Sequence, residues 1–170
     1  MRALDIYNRI LQGTRLHWSE IAAWGGSDDI ELRGAAFQAL TAETAIIEGA
    51  VDRDEANSII IEYLFDFLSG NAGEPTFFKM QPYVAGHSLA RMYQALRGQE
   101  PRPEATLTYI RERLVQQYLQ GNERQKRLVV DGALEHIFEE VVCREDFATW
   151  KEHPELGTAF AEALDWNRAR

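Results

Sequence analysis

The sequence is poor in cysteine and has no long apolar run. Its one cysteine, Cys143, excludes an internal disulfide and favours a reducing compartment. No stretch approaches the ~20 apolar residues of a membrane-spanning helix, and the first ten residues, MRALDIYNRI, do not form a signal peptide. We therefore expect a cytoplasmic protein that does not enter a membrane.

Positive charge is also scarce. The chain has 18 Lys and Arg against 27 Asp and Glu, which gives a formal net charge of -9. This excess of negative charge repels nucleic-acid backbones and anionic membrane surfaces. We therefore expect no nucleic-acid partner, and a charged protein partner would be basic.

Strand patterns and internal repeats are missing as well. No alternating run is long enough for a strand, and no segment repeats along the chain. With 170 residues, 45% of them hydrophobic, the chain can bury one full core, and no shift in composition divides it. We therefore expect a single all-α domain over residues 1–170, with about seven helices packed as antiparallel hairpins because the connections are short.

Helical periodicity, together with start and stop residues, predicts where these helices lie. They cover residues 1–24 with a break or kink at Gly13 and Thr14, about 28–51, 54–69, 82–97, 103–120, 124–143 and 154–166. Residues 71–81 have no period: Gly73 and Pro75 precede two adjacent phenylalanines, and Pro82 follows the segment. This segment is predicted to be a loop.

The predicted helix over residues 124–143 has the clearest pattern in the chain. Its core stripe consists of Val130, Ala133, Leu134, Ile137, Phe138 and Val141. Asp131, Glu135 and Glu139 follow one another at every fourth residue away from that stripe, and we call them the acidic ridge. Acidic surfaces are what inhibitors of basic nucleases present to phosphate-binding sites. The ridge predicts a partner-binding surface, and the alternative interpretation is a solvated face that binds nothing.

A metal-dependent hydrolase is the alternative function. Carboxylates and histidine on facing helices can bind a divalent cation that activates water. The candidate ligands are Glu62, Asp66, His136 and Glu140. The Glu-x-x-His order of di-iron bundles is absent, because His136 precedes Glu139. The leading hypothesis therefore needs no cofactor, no metal and no catalytic residue.

Two further residues could take part in chemistry. His136 could be a general base, but we expect it to be a structural histidine bonded to Glu140, with Gly132 allowing another helix to approach. Cys143 could be a nucleophile, but its acidic neighbours should raise its pKa. We expect an inert thiol, and no complete catalytic set is present.

Residues 132–166 carry a pattern of small and aromatic residues. It comprises the run Gly132 to Glu139, then Phe147-x-x-Trp150, Pro154-Glu-Leu156, Ala159-Phe160 and Ala163-Leu-x-Trp166. This pattern resembles small helical bacterial proteins, some of which are immunity proteins encoded beside secreted toxins. The resemblance implies a bacterial cytosolic protein that binds or neutralises another protein, and it implies no catalytic residue. A homodimer built on Phe77, Phe78 and Trp166 is a third hypothesis.

Overall fold

The computed structural model describes residues 3–168 and is mostly helical. The all-α class predicted from the sequence is therefore confirmed. The predicted count of about seven helices and their packing as antiparallel hairpins are not confirmed. Within the described range, no helix is both long and apolar enough to cross a membrane.

The described chain divides into two compact units. The first holds residues up to 66 together with 72–80, and the second holds residues 67–71 together with those from 81 onward. The chain passes from one unit to the other within a single helix, Arg53–Ser69. The prediction of one domain stays a prediction.

The first unit combines helices with one short pair of strands. Its elements are α1 (Ala3–Leu11), β1 (Arg15–His17), α2 (Trp18–Gly25), α3 (Ile30–Thr41), β2 (Ile46–Glu48) and α4 (Arg53–Ser69). The strands are parallel, with Leu16 opposite Ile47. The prediction of no strand was therefore wrong. Three-residue strands are too short to show an alternating pattern, and their pairing brings together distant parts of the chain.

Two predicted helices differ from the structure. The first is broken at Gly13 and Thr14, as predicted: α1 ends at Leu11, Gly13 adopts a positive φ of 63°, β1 follows, and α2 resumes the helix at Trp18. Its first two predicted residues lie outside the described range. The second begins after Asp29, whose side chain caps the backbone N–H of Glu31, and it ends at Thr41. The last part of this predicted helix contains β2 instead, which includes the β-branched residues Ile46 and Ile47.

The predicted loop at residues 71–81 is confirmed as irregular, and the part within the first unit is held by side chains of α3 and α4. The Glu31 carboxylate accepts the backbone N–H groups of Thr76, Phe77 and Phe78. The Tyr63 hydroxyl donates to the carbonyl oxygen of Phe78. The Phe78 side chain is thereby buried in the core.

The second unit begins with two regular helices and ends with shorter ones. Its elements are α5 (Pro82–Arg97), α6 (Glu104–Gln120), α7 (Glu123–Arg127), a π-helical segment (Leu128–Leu134), α8 (Glu135–Ile137), α9 (Val141–Glu145), a 3₁₀ helix (Ala148–Glu152) and α10 (Pro154–Arg168). Pro82 begins α5 and Gly98 follows its last residue, as predicted. Residues 103–120 and 154–166 are also helical within a residue or two of their predicted ends.

The predicted helix over residues 124–143 is not one regular α-helix. It widens into the π-helical segment, ends at Ile137 and resumes after a turn at 138–140. At the π-helical segment its backbone lies against α5. A Cβ atom on Gly86 would lie 2.5 Å from the carbonyl oxygen of Gly132. The helix α5 does approach the backbone at Gly132, but the missing side chain of Gly86 permits this contact, because a Cβ atom on Gly132 would lie 3.6 Å from its nearest neighbour.

Candidate functional site

The straight acidic ridge predicted on residues 124–143 was wrong in its geometry. Asp131 lies in the π-helical segment, Glu135 begins α8, and Glu139 lies in the turn beyond that helix. A π-helix closes its backbone bonds to the fifth residue rather than the fourth, so the every-fourth-residue alignment is lost. Asp131 and Glu135 are half-buried and Glu139 is exposed. Their predicted role in partner binding stays a prediction.

Asp131 instead lines a groove of about 520 Å³ between α6, α7, the π-helical segment and α10. We call this the acidic groove, and its lining residues are Tyr118, Glu123, Lys126, Arg127, Val130, Asp131, Glu155, Thr158 and Glu162. Four carboxylates face two cationic side chains there. The groove therefore carries an excess of negative charge within one surface depression.

The groove already holds one cation. Lys126 Nζ donates to Glu155 Oε2 at 3.2 Å and lies 5.4 Å from the centre of the Tyr118 ring. The hydrogen bond to Glu155 raises the pKa of Lys126 above its ordinary value. Burial raises the pKa of Tyr118, and the negative charge of Glu162 raises it further. The carboxylates of the groove thus favour the protonated forms of both Lys126 and Tyr118.

His136 lies outside the groove in an aromatic cluster. Its Nδ1 lies 3.1 Å from Glu139 Oε1, so the predicted bond to Glu140 was wrong. The helix ends at Ile137, and the following turn brings Glu139 back toward the ring. The His136 ring stacks on His87 with centroids 4.3 Å apart, and it meets the edge of Trp166. Burial lowers the pKa of His87, and His136 and Arg91 lower it further.

The structure gives no support to the alternative metal site. Among residues 3–168, no three His, Cys, Asp or Glu side chains are grouped so that they could hold a metal ion. Asp66 is paired with Arg33 in the first unit, and His136 is paired with Glu139 in the second. Glu62, Asp66, His136 and Glu140 are therefore not members of any such group within this range.

Cys143 behaves as predicted for an unreactive thiol. Its side chain is 1% exposed. Burial raises its pKa to about 11, and the charges of Asp146 and Glu140 act in the same direction. The thiolate that a nucleophile requires is therefore disfavoured near neutral pH.

The surface proposed for a homodimer changes with the structure. Phe78 is buried in the first unit, so its predicted exposure was wrong. Phe77 is 43% exposed. Trp166 is half-buried and packs its edge against His136. Of the three proposed dimer residues, Phe77 is therefore the most exposed. Dimerisation stays a prediction.

A polar network that the sequence did not reveal joins α5, α6 and the residues after α9. The Asp146 carboxylate accepts Arg97 Nε at 2.9 Å and the Tyr93 hydroxyl at 2.9 Å. Arg111 donates to the same Tyr93 hydroxyl at 2.9 Å and to the Thr108 hydroxyl at 2.8 Å. Tyr93 and Asp146 are 53 residues apart in the chain, so no local spacing could have linked them.

No family model, curated protein or solved structure matches this chain. The resemblance of residues 132–166 to immunity-type proteins therefore stays a prediction. The acidic groove is the feature whose geometry and charge bear most directly on function.

Proposed function

We propose that the protein works by binding a basic protein partner through the acidic groove. The observation that carries this proposal is the gathering of Glu123, Asp131, Glu155 and Glu162 around a single depression on the second unit. A surface with this excess of carboxylates attracts basic partners and accelerates their encounter. The overall charge of -9 acts in the same direction over longer distances.

The position of Lys126 supports lysine or arginine side chains as the groups that enter the groove. Its ammonium lies between the Glu155 carboxylate and the Tyr118 ring, with both partners on the groove lining. A carboxylate and an aromatic face are the two groups that bind a cation best on a protein surface. Glu123, Asp131 and Glu162 would offer further carboxylates to an incoming basic segment.

The role that fits such a binding surface is that of a small bacterial cytoplasmic immunity or antitoxin-like inhibitor. An inhibitor of this kind acts by occlusion, so it buries an interface of roughly 1,600 Å² and needs no chemistry of its own. The resemblance of residues 132–166 to immunity-type proteins supports this role, since Asp131, Glu155 and Glu162 lie in or beside that segment. We also keep as part of this proposal the prediction that residues 1–170 form a single domain.

The proposal is tested by comparing two variants that change the net charge equally. Glu155→Gln with Glu162→Lys alters the groove, whereas Glu140→Gln with Glu152→Lys alters exposed residues outside it. Both pairs move the formal charge from -9 to -6. Tagged wild-type and variant proteins are used to capture partners from a host lysate at low salt, and bound proteins are quantified by mass spectrometry.

We expect a basic protein to bind the wild type and the outside variant equally and to be lost with the groove variant. Equal capture by all three proteins would remove the groove from the account. Equal loss with both variants would show that only net charge matters. Circular dichroism must show the same helical signal in each protein, because Glu155 lies in the first turn of α10.

A further inference from the structure

A second depression on the same unit has a different chemistry. It is a cleft of about 530 Å³ between α6 and the 3₁₀ helix, and none of its lining residues belongs to the acidic groove. Its lining residues are Thr108, Arg111, Glu112, Val115, Gln116, Leu119, Gln120, Asp146, Thr149 and Trp150. We call it the Arg111 cleft. Its volume lies within the roughly 300–1,000 Å³ of small-molecule sites.

Arg111 is the positive charge in this cleft. Its guanidinium donates to the hydroxyls of Tyr93 and Thr108, which are both neutral. In the described part of the chain no carboxylate pairs with it. Since a guanidinium has five N–H donors, Arg111 keeps donors for another acceptor while its two bonds hold it in place.

The acidic residues of the cleft do not neutralise Arg111. Asp146 is bound by Arg97 Nε and by the Tyr93 hydroxyl, so its charge is balanced by a different arginine. Tyr93 is fully buried and stands between the two residues: its hydroxyl donates to Asp146 and accepts from Arg111. Glu112 is exposed on α6, where water screens its charge.

The rest of the lining is apolar or hydrogen-bonding without charge. Val115, Leu119 and Trp150 supply the apolar surface. The hydroxyls of Thr108 and Thr149 and the amides of Gln116 and Gln120 supply uncharged polar groups. A fixed cation beside an apolar wall is complementary to a ligand that has one negative end and an apolar body.

We propose that the Arg111 cleft binds a small carboxylate with an aliphatic or aromatic body. The carboxylate accepts hydrogen bonds from the free N–H groups of Arg111, and the body lies along Val115, Leu119 and Trp150. This site is separate from the proposed protein-binding groove, so either can be wrong without the other.

The test uses hexanoate and its uncharged analogue hexanamide as probes of the folded full-length protein. Binding is followed by the amide and indole N–H signals of Thr149 and Trp150 in two-dimensional NMR. For a ligand of this size we expect a dissociation constant on the order of 1 mM for hexanoate. Hexanamide should bind at least about tenfold more weakly, because its neutral carbonyl oxygen accepts from Arg111 without carrying the opposite charge.

Arg111→Met should remove the preference for hexanoate over hexanamide. Arg113→Met is the matched control, since Arg113 lies on the same helix, bonds Tyr109 and does not line the cleft. If Arg111→Met fails to fold, Thr149→Phe fills the cleft without touching the Arg111 bonds and should abolish binding of both probes. Equal affinity for acid and amide in the wild type, or shifts of residues outside the cleft alone, would overturn the proposal.

Discussion

At the contact between α5 and the π-helical segment, the missing side chain of Gly86 matters more than that of Gly132. A Cβ on Gly86 would lie 2.5 Å from the backbone oxygen of Gly132, which cannot move without moving the segment. A Cβ on Gly132 would meet the nearest side-chain atoms at 3.6 Å, an ordinary contact distance. The two glycines therefore play unequal parts in the same contact.

We predict that Gly86→Ala lowers the free energy of unfolding by about 1–3 kcal/mol through overpacking. Gly132→Ala should change it by less than about 1 kcal/mol, because its methyl group has room. Urea denaturation of both variants gives the comparison. Equal losses of unfolding free energy in the two variants would contradict the unequal contacts of the two glycines.

Two buried tyrosines predict the response to alkaline pH. Burial raises the pKa of Tyr63 and of Tyr93 far above the ordinary value of about 10. In the unfolded chain these hydroxyls lose their protons near pH 10, whereas in the folded chain they keep them. The unfolded state then binds fewer protons, so the stability present below about pH 10 is lost as the pH rises.

We predict that the free energy of unfolding of the wild type falls between about pH 9 and pH 11. The free energy of unfolding of the Tyr93→Phe variant should fall less over the same interval. Urea titrations at a series of pH values measure both slopes. Lysine and arginine titration affects the two proteins equally, so it cancels in the comparison. Identical slopes would mean that Tyr93 ionises alike in the folded and unfolded chains.

Single residues differ in how far the sequence could foretell their roles. The direction of the pKa shift of Cys143 could be predicted, although burial rather than the acidic neighbours is its main cause. The contact of α5 with Gly132 depends on Gly86, which lies far away in the chain. The bond between His136 and Glu139 depends on where the helix ends, so spacing alone pointed to Glu140 instead. The contact between Tyr93 and Asp146 joins distant segments, and no single sequence shows it.

At the scale of elements, side chains outside a segment decide its conformation. The stretch 72–80 contains no helix or strand, only isolated bends, and Glu31 and Tyr63 hold it in position. Glu31 Oε2 accepts the N–H groups of Phe77 and Phe78 at 3.3 Å each. One carboxylate therefore fixes three successive residues of the loop.

We predict that Glu31→Ala frees this loop while leaving the helices intact. The amides of Thr76, Phe77 and Phe78 should exchange with deuterium faster, and the free energy of unfolding should fall by about 1–2 kcal/mol. Glu43→Ala is the control, since Glu43 is an exposed carboxylate on the segment between α3 and β2. Unchanged exchange at Thr76 to Phe78 would show that Glu31 does not hold the loop.

Long helices with clear ends could be predicted as elements, as α4, α5 and α6 show. The π-helical segment and the two short strands could not. The apolar residues of the π-helical segment, Val130, Ala133 and Leu134, have the spacing of an α-helix in the sequence, so the sequence did not distinguish the two. The strands are stabilised by each other rather than by their own sequences. The acidic ridge failed for this reason, because its spacing assumed an unbroken α-helix.

At the scale of the whole molecule, charge is the property that could be predicted best. The excess of acidic residues follows from composition, and we propose that its functional part is the acidic groove. Glu123, Glu155 and Glu162 were absent from the predicted site because they come from α7 and α10. Only folding brings them to the side of Asp131, which was the one ridge residue to line the groove.

The affinity of the captured partner for the wild type and the two charge variants, at about 50 and 200 mM salt, tests the central claim most directly. We predict that Glu155→Gln with Glu162→Lys weakens binding about tenfold or more at low salt and that the difference shrinks at high salt. The outside pair, Glu140→Gln with Glu152→Lys, should bind like the wild type. If the outside pair weakens binding as much as the groove pair, the groove is not the binding surface.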